Sequence, residues 1–266
     1  MKFIQLQSGD EIPLKSDLKV RFPDVNDPDL PQDEEWCLVA NGKGEERIRF
    51  HDYHEIYSVR GLYEHIFYDK LKCQSPQFLS ALLAHEVTRV GQQMSDLRVF
   101  DVGAGNGIMA EALRLAGAPP LVGVDIIEEA KLAAERDRPD AYKAYYAVDM
   151  TDMPAAVEQA LGAESFNCLT LVAALGFGDI PPEVFATAFN LIEDNGWIVF
   201  NIKDKFVQGG DNSGFAELIQ HMTDTGIFVP TVEARYVHRR SITNEDLYYT
   251  AFVGRKKRDL AKKYLA

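Results

Sequence analysis

The chain has 266 residues, 46% of them hydrophobic, and carries a formal net charge of −13 from 41 acidic and 28 basic residues. This length is enough to bury the core of one catalytic domain with an N-terminal addition. A polyanionic partner such as nucleic acid would meet net repulsion, so the charge argues against such partners.

The cysteines and the apolar runs exclude further classes of protein. Cys37, Cys73 and Cys168 are scattered without CxxC spacing, which indicates neither a disulfide framework nor a zinc site. We expect Cys168 to be buried in a strand. No apolar run reaches the ~18 residues that a membrane-spanning helix needs, and the start MKFIQLQSGDE lacks the core of a signal peptide. We therefore expect a cytoplasmic protein that does not bind membranes.

The N-terminal region contains two predicted β segments. Residues 1–35 combine acids and prolines with short apolar alternations (KFIQLQ, LKVRF), which predicts a small hairpin or an irregular arm. The runs WCLVA and ERIRF flank the turn sequence NGKG, and this pattern predicts a β-hairpin.

An aromatic and histidine-rich segment, HDYHEIYSVRGLYEHIFYDKLKCQSP, begins at His51. Its candidates for ligand contact are Tyr57, Arg60, Tyr63, His65 and Tyr68. The alternative is an amphipathic helix pair whose aromatic residues only form core. His51, His54 and His65 lack a fourth partner in the sequence, which disfavours a metal site.

The stretch VFDVGAGNGIMAEA, which begins at Val99, predicts a strand, a glycine turn and a helix. Its first four residues fit a buried parallel strand, and residues 108–116, rich in Ala, Leu and Met, fit a helix. Glycines let a ligand approach the backbone closely, and a helix start offers unpaired N–H groups. The dinucleotide fingerprint GxGxxG would place a glycine where this chain has Ile108.

Asp101, two residues before the first glycine, indicates the charge of the ligand. A carboxylate repels a pyrophosphate but attracts an ammonium or a sulfonium. In these residues the chain resembles the first motif of the class I S-adenosylmethionine-dependent methyltransferases, an acid followed by GxGxG. The resemblance covers about residues 75–257 and implies S-adenosyl-L-methionine, which carries both cationic groups, as the cofactor.

Two further acids follow predicted strands. The run Leu121–Val124 ends at Asp125, at the spacing of a ribose-binding acid. We expect Asp125 to accept hydrogen bonds from both ribose hydroxyls and Ile126 to pack on the adenine. A third strand, 144–148, ends in Asp149 and Met150, which resemble the family's adenine-edge position. The alternative for Asp149 is a cap of the helix predicted at 153–161.

The remaining elements define the fold class. Strands are predicted at 166–173 and 197–202, after a turn at 193–196, and the pair Pro181-Pro182 is expected to start a helix. Two runs, 232–240 and 247–254, predict a C-terminal hairpin. The alternation predicts an α/β fold with a doubly wound, mostly parallel sheet and helices on both faces. The resemblance implies seven strands, and a β/helical extension precedes them.

The sequence after the fourth strand bears on the methyl acceptor. Family members that methylate planar amines carry Asn or Asp followed by Pro-Pro and an aromatic residue there, whereas this chain has Ala173, Ala174, Leu175 and Gly176. The basic cluster at 255–258 is expected to be a solvated helix end rather than an RNA contact.

We predict three regions. Residues 1–74 form the extension, a small β-hairpin region followed by an aromatic helical lid; residues 75–258 form the catalytic domain; and residues 259–266 form a tail. The resemblance implies that the lid covers the cofactor. The predicted cofactor-binding residues are Asp101, Gly103, Ala104, Gly105, Asn106, Gly107, Asp125, Ile126, Asp149, Met150, Ala173 and Tyr63.

Methyl transfer from a sulfonium requires mainly that the acceptor is aligned and water excluded. A base is needed only if the acceptor must lose a proton. The candidates at the open edge of the sheet are His238, Lys203, Asp179 and, less centrally, Asp204. The alternative is a solvated loop for Lys203 and Asp204 and exposed edge-strand charge for 238–240.

The sequence therefore predicts an S-adenosylmethionine-dependent methyltransferase that acts on a small molecule. The alternatives are a catalytically silent S-adenosylmethionine-binding partner or sensor domain and, less favoured by Asp101 and the glycine spacing, a nicotinamide-dependent oxidoreductase.

Overall fold

The structure is a computed structural model that describes residues 18–23, 32–40, 44–175, 179–206 and 214–264. The predicted KFIQLQ alternation and the tip of the NGKG turn lie outside these residues. Among the helices of the described ranges, none combines the length and the apolar character that a bilayer crossing requires.

The N-terminal extension begins with a small antiparallel sheet of β1 (Val20–Arg21), β2 (Trp36–Ala40) and β3 (Glu45–Arg49). The predicted hairpin is confirmed, with Trp36 opposite Arg49. Two short helices follow, α1 (Tyr53–Ser58) and α2 (Leu62–Glu64), and α2 continues as a π-helical segment over His65–Lys70. Their apolar side chains form a core of their own with β2 and β3.

The main sheet has seven strands: β4 (Val99–Val102), β5 (Leu121–Asp125), β6 (Tyr142–Ala147), β7 (Phe166–Leu175), β8 (Ile192–Lys203), β9 (Phe228–Arg240) and β10 (Asp246–Lys256). Their order is β6-β5-β4-β7-β8-β10-β9. The first five are parallel, and β10 is antiparallel to both of its neighbours. The predicted fold class is confirmed.

Helices cover both faces of this sheet. They are α3 (Ser75–Arg89), α4 (Ile108–Leu115), α5 (Glu128–Asp137), α6 (Ala155–Gly162), α7 (Pro182–Asn190) and α8 (Phe215–Asp224). One core cluster packs α3 and α4 on the sheet, and the other packs α6, α7 and α8. Alternate residues of β4 supply the two cores, because neighbouring strand side chains point to opposite faces. The predicted helix start at Pro182 and the burial of Cys168 are confirmed.

The predicted turn at 193–196 lies inside β8. Four residues separate the pair Phe166–Ile192 from the pair Cys168–Trp197, and Asn195 has a left-handed φ of +65°. The structure corrects one prediction nearby. The basic cluster is no solvated helix end. Arg255 and Lys256 end strand β10, and Lys256 is buried with its ammonium bonded to the carbonyls of two residues, Asn190 and Ile192.

A buried ion pair joins the extension to the main sheet. The carboxylate of Glu35 accepts a hydrogen bond from the Arg239 guanidinium at 2.6 Å, and its other oxygen accepts one from the Ile242 backbone N–H at 2.6 Å. The two charged side chains are only 1% and 2% exposed. Each therefore depends on the other for compensation of its charge.

We expect Glu35→Gln to lower the free energy of unfolding by about 3–5 kcal/mol, because it leaves the buried Arg239 charge uncompensated. Chemical denaturation measures this loss. The matched control is Glu45→Gln, which breaks the exposed pair between Arg21 and Glu45 and should leave stability unchanged. If both substitutions lowered the free energy of unfolding by the same amount, the buried pair of Glu35 and Arg239 would not be a special source of stability.

Candidate functional site

A cavity of about 240 Å³ lies at the carboxyl ends of the parallel strands. The strand order reverses between β4 and β7, and ligands of open α/β sheets bind at such switch points. Gly103 directly follows β4, and Ala173 lies near the end of β7; both residues line the cavity. The aromatic segment of the extension forms its opposite wall.

The glycine turn after β4 is shaped by close packing. Gly103, Gly105 and Gly107 have φ angles of +67°, +53° and +85°, a region that favours glycine. A Cβ on Gly105 would lie 2.6 Å from the hydroxyl oxygen of Tyr57, and one on Gly103 would lie 2.8 Å from the Cβ of Ala174. The turn therefore admits no larger side chain at these two positions.

Asp125 holds this turn from the neighbouring strand. Its carboxylate oxygens accept hydrogen bonds from the backbone N–H of Gly105 at 2.9 Å and of Ile127 at 3.0 Å. Burial raises the pKa of the Asp125 carboxyl, and the backbone N–H donors oppose that shift. Each oxygen has a second acceptor site, so the carboxylate can still bind a pair of hydroxyl groups.

Asp101 is deeply buried beneath the turn. One carboxylate oxygen accepts a hydrogen bond from Thr170 at 2.6 Å and the other accepts one from Tyr142 at 2.8 Å. Burial raises the pKa of Asp101 to about 6, although these two donors favour the ionised form. Asp101 therefore supplies negative potential at the cavity floor.

Asp149 and Ile126 lie at the rim of the cavity. Asp149 is exposed and accepts hydrogen bonds from the backbone N–H and the hydroxyl of Thr151, which lower the pKa of its carboxyl. The alternative that Asp149 caps a helix is wrong, because the next helix, α6, begins later and has Pro154 as its N-cap. Ile126 is 63% exposed and lines the cavity, as does the buried Met150.

Most of the predicted cofactor residues are thus brought together. All of them line the cavity except Gly107, whose backbone caps helix α4 and faces the ring of Tyr142. Their contacts with a ligand stay predictions.

The aromatic segment contacts the glycine turn directly. Tyr57 and Tyr63 stack with centroids 5.1 Å apart, and both are cavity residues, as is Tyr68. Glu64 anchors the segment, because its carboxylate accepts hydrogen bonds from Asn106 at 2.9 Å and Arg138 at 3.0 Å. The wall is therefore tied to the turn by side-chain hydrogen bonds.

Two other candidates of this segment lie away from the cavity. Arg60 is exposed and lies 3.7 Å from Asp137, and His65 stacks on Phe22 at 5.9 Å. Within the described ranges, no group of three or more His, Cys, Asp or Glu residues has the arrangement to hold a metal ion.

The catalytic candidates separate into two groups. His238 and Asp179 line the cavity, and the Asp179 carboxylate lies 3.8 Å from His51. Lys203 does not line it and donates a hydrogen bond to Gln32 at 2.8 Å. Asp204 pairs with Arg235 at 2.6 Å.

The alternative that residues 238–240 are exposed charged residues on an edge strand is wrong for two of them. His238 is 5% exposed and Arg239 is 2% exposed. Both line the cavity, as does Tyr249, which the sequence did not single out. The alternating pattern of β9 ends at a bulge here, and the extension covers this end of the strand. No sequence signal marks the bulge, although the run Tyr-Val-His places Tyr236 and His238 on one face of an ideal strand.

Comparison with known proteins agrees with this site. The family described as "Methyltransferase domain" matches residues 76–244, more than half of the chain. This match confirms the predicted relationship to the S-adenosylmethionine-dependent methyltransferases and includes the glycine turn and most of the cavity floor.

The curated relatives match over shorter segments. Ubiquinone biosynthesis O-methyltransferase of Candida albicans is 30% identical over 109 residues, which cover 39% of this chain and 32% of the relative. The enzyme of the same name from Thiobacillus denitrificans is 32% identical over 39% of this chain and 43% of the relative. Ribosomal protein L11 methyltransferase of Ectopseudomonas mendocina is 40% identical over 25% of each chain. The chain thus spans less than half the length of these relatives.

The chain also aligns with solved structures of low sequence identity. The [4+2]-cyclase SpnF aligns with a TM-score of 0.49 at 16% identity, over 68% of this chain and 81% of that one. Magnesium protoporphyrin IX methyltransferase from Synechocystis aligns with a TM-score of 0.48 at 15% identity, over 68% and 79%.

The raised pKa of Asp101 predicts a pH-dependent stability. The folded carboxyl has a pKa of about 6 against a reference of 3.8, so between these values the folded state binds a proton that the unfolded state has lost. Asp101 therefore lowers stability as the pH rises through this window. Asp101→Asn removes the ionisation, and its unfolding free energy relative to wild type should rise by about 3 kcal/mol from pH 4 to 7.

Denaturant titrations at several pH values measure this difference. The exposed Asp140→Asn serves as the control and should follow wild type at each pH. A constant offset between Asp101→Asn and wild type would show that Asp101 ionises normally.

Proposed function

The chain belongs to the methyltransferase domain family, and we propose that it transfers a methyl group from S-adenosylmethionine to a small, ring-containing molecule. The observation that carries this proposal is a single cavity with two kinds of wall. One wall holds the glycine turn and the acids of the parallel strands, and the other is aromatic. In this proposal the cofactor lies against the first wall and the acceptor against the second.

The residues of the first wall fit the cofactor chemically. The glycine turn exposes backbone without a Cβ, and the Asp125 carboxylate keeps free acceptor sites that suit the two ribose hydroxyls. Ile126 offers an exposed apolar face for the adenine, and Asp149 at the rim is an acceptor for its amino group. Asp101 favours the cationic groups through its negative potential.

When bound, S-adenosylmethionine supplies a methyl group on a positively charged sulfur, which is already an activated leaving group. The chain's own residues therefore need to align the acceptor and exclude water. Tyr57 and Tyr63 close the cavity above the glycine turn, and hydrogen bonds of Glu64 hold this cover in place. Asp179 is the candidate base for an acceptor that must lose a proton.

The second wall supports a small, neutral or cationic ring compound as acceptor. Tyr57, Tyr63, Phe67 and Tyr68 offer stacking faces, and the enclosed volume suits a small molecule rather than a polymer. The net charge of −13 opposes nucleic acid. Two relatives are named for ubiquinone biosynthesis, whereas a third is named for methylation of a ribosomal protein, so a protein acceptor is the alternative to test.

We expect Asp125→Ala to weaken S-adenosylmethionine binding by about 2–4 kcal/mol, because two charge-assisted hydrogen bonds are lost. Calorimetry measures the affinity. Asp125→Asn is the second variant, since it removes the charge and keeps one accepting oxygen, while its NH₂ group can no longer accept from one of the two backbone N–H groups. Its loss should be smaller. If folded Asp125→Ala binds S-adenosylmethionine as tightly as wild type, Asp125 does not bind the ribose. If wild type does not bind S-adenosylmethionine, the proposed cofactor is wrong.

An acceptor screen separates the substrate classes. Wild type and labelled S-adenosylmethionine are incubated separately with tRNA, a protein lysate and a desalted pool of small metabolites. We expect label in the metabolite fraction, because the cavity and charge favour small acceptors. Label in the tRNA or protein fraction alone would contradict the proposal. Binding without transfer to any fraction would favour a silent domain.

A further inference from the structure

His238 occupies a bulge in strand β9. Val237 pairs with Tyr248 and Arg239 pairs with Leu247, so His238 is the inserted residue between them. Its backbone carbonyl instead accepts a hydrogen bond from the N–H of Gln74 at 2.9 Å. Bulges re-aim a side chain, and this one lets both His238 and Arg239 lie buried at the cavity.

A chain of hydrogen bonds leads to the His238 ring from the backbone at Ala173. The Ala173 N–H can only donate, so the Asn201 side-chain oxygen accepts from it at 2.6 Å. This bond fixes the orientation of the Asn201 amide. Its NH₂ group therefore points at the Tyr236 hydroxyl oxygen and donates to it at 2.7 Å.

The remaining two bonds follow the same direction. Tyr236 and Ser75 hydroxyls lie 2.6 Å apart, and Ser75 Oγ lies 2.5 Å from Nδ1 of His238. Because the tyrosine oxygen already accepts from Asn201, its proton is satisfied only by donation to Ser75. Ser75 Oγ also accepts from the Asn201 NH₂ group at 3.3 Å. With both of its lone pairs occupied, Ser75 can only donate to His238 Nδ1. The opposite direction would leave the buried Tyr236 proton without an acceptor among the described residues, at a cost in stability.

We propose that this chain of hydrogen bonds from Ala173 to His238, the relay, fixes His238 as the Nε2–H tautomer. The Nε2–H group then donates a hydrogen bond to the methyl acceptor in the cavity. In the described part of the chain, the hydrogen bonds of the ring all involve Nδ1, which leaves Nε2 for a ligand. The ring is only 5% exposed and packs on Tyr249 at 4.1 Å. Ser75, Tyr236 and Asn201 are positioning residues that act through His238.

The surroundings keep this ring neutral. Burial lowers the pKa of His238 well below its usual value, and the positive charges of Arg239 and Lys203 lower it further. The nearby Cys73, Tyr236 and Tyr249 are held neutral because burial raises the pKa of each. His238 is therefore a neutral donor rather than a general base at pH 7.

The Nε2–H donor of His238 restricts the chemistry of the methyl acceptor, and this inference rests on the proposed function. An N–H donor in an aromatic cavity selects a ring compound that carries a lone pair, such as a carbonyl, ether or phenol oxygen. A ring compound without a hydrogen-bond acceptor would leave the Nε2–H group of His238 unpaired, which disfavours binding of that compound. We therefore expect the ring-containing substrate to carry a hydrogen-bond-accepting group that faces His238.

Nitrogen NMR of the full chain with labelled histidine tests the tautomer without cofactor or acceptor. The chain has six histidines, and His238→Gln identifies the His238 signals by their loss. We expect one neutral Nε2–H form in wild type at pH 7. A ring with its proton on Nδ1 overturns the relay.

Asn201→Asp at pH 8 is designed to reverse the relay. An ionised carboxylate would accept from both the Ala173 N–H and the Tyr236 hydroxyl, so Ser75 would donate to Tyr236 and His238 would donate from Nδ1. We expect a switch to the Nδ1–H tautomer, with the other five histidines unchanged. If that variant does not fold, Ser75→Ala replaces it and should shift the Nδ1 signal. An unchanged His238 spectrum in the folded variant overturns the proposal.

Turnover on the desalted metabolite pool tests the donor role. We expect His238→Phe to lower the initial rate about tenfold or more through loss of one hydrogen bond, whereas His238→Gln, which keeps an N–H donor, stays within about threefold. Cofactor affinity should not change in either. Equal loss in both variants contradicts the donor role. Absence of cofactor binding in wild type contradicts the proposed function and leaves the tautomer result intact.

Discussion

The close packing at Gly105 is the constraint on which the rest of the site depends. Its N–H donates to Asp125, and a Cβ at this position would lie 2.6 Å from the Tyr57 hydroxyl. One residue thus joins three parts of the molecule: the turn after β4, the end of β5 and the aromatic segment of the extension. The left-handed φ of +53° that this packing requires is the reason for glycine here.

The extension and the main sheet are held together at two separated places. Near the glycine turn, Glu64 accepts hydrogen bonds from Asn106 and Arg138. At the far edge, Glu35 pairs with Arg239, and the backbone of Arg240 donates to the carbonyl of Leu71. The cavity lies between these contacts, so its aromatic wall is braced at both ends. A wall held in this way limits the approach of water from the side of the extension, which favours methyl transfer.

The fold and the cofactor side were predictable because their signals are local. Strand β4, the glycine turn and Asp125 follow from periodicity, backbone freedom and spacing along one chain segment. The side of the cavity that we propose for the acceptor was not predictable, because its residues meet only through tertiary contacts. His238 depends on a bulge in β9, Ser75 starts α3, and Asn201 lies within β8. Lys203 is the last residue of the strand that contains Asn201, yet its side chain bonds to Gln32 and lies outside the cavity.

We expect the aromatic segment to cover a cofactor bound on the glycine turn. Hydrogen exchange of the wild-type chain with and without S-adenosylhomocysteine tests it most directly, because lid segments open at low free energy and gain protection on closure. If the segment is a lid, amide exchange becomes slower in α1 and in residues 62–70, together with the turn at 103–107. Protection confined to the main sheet and the turn, with α1 and residues 62–70 unchanged, would contradict it.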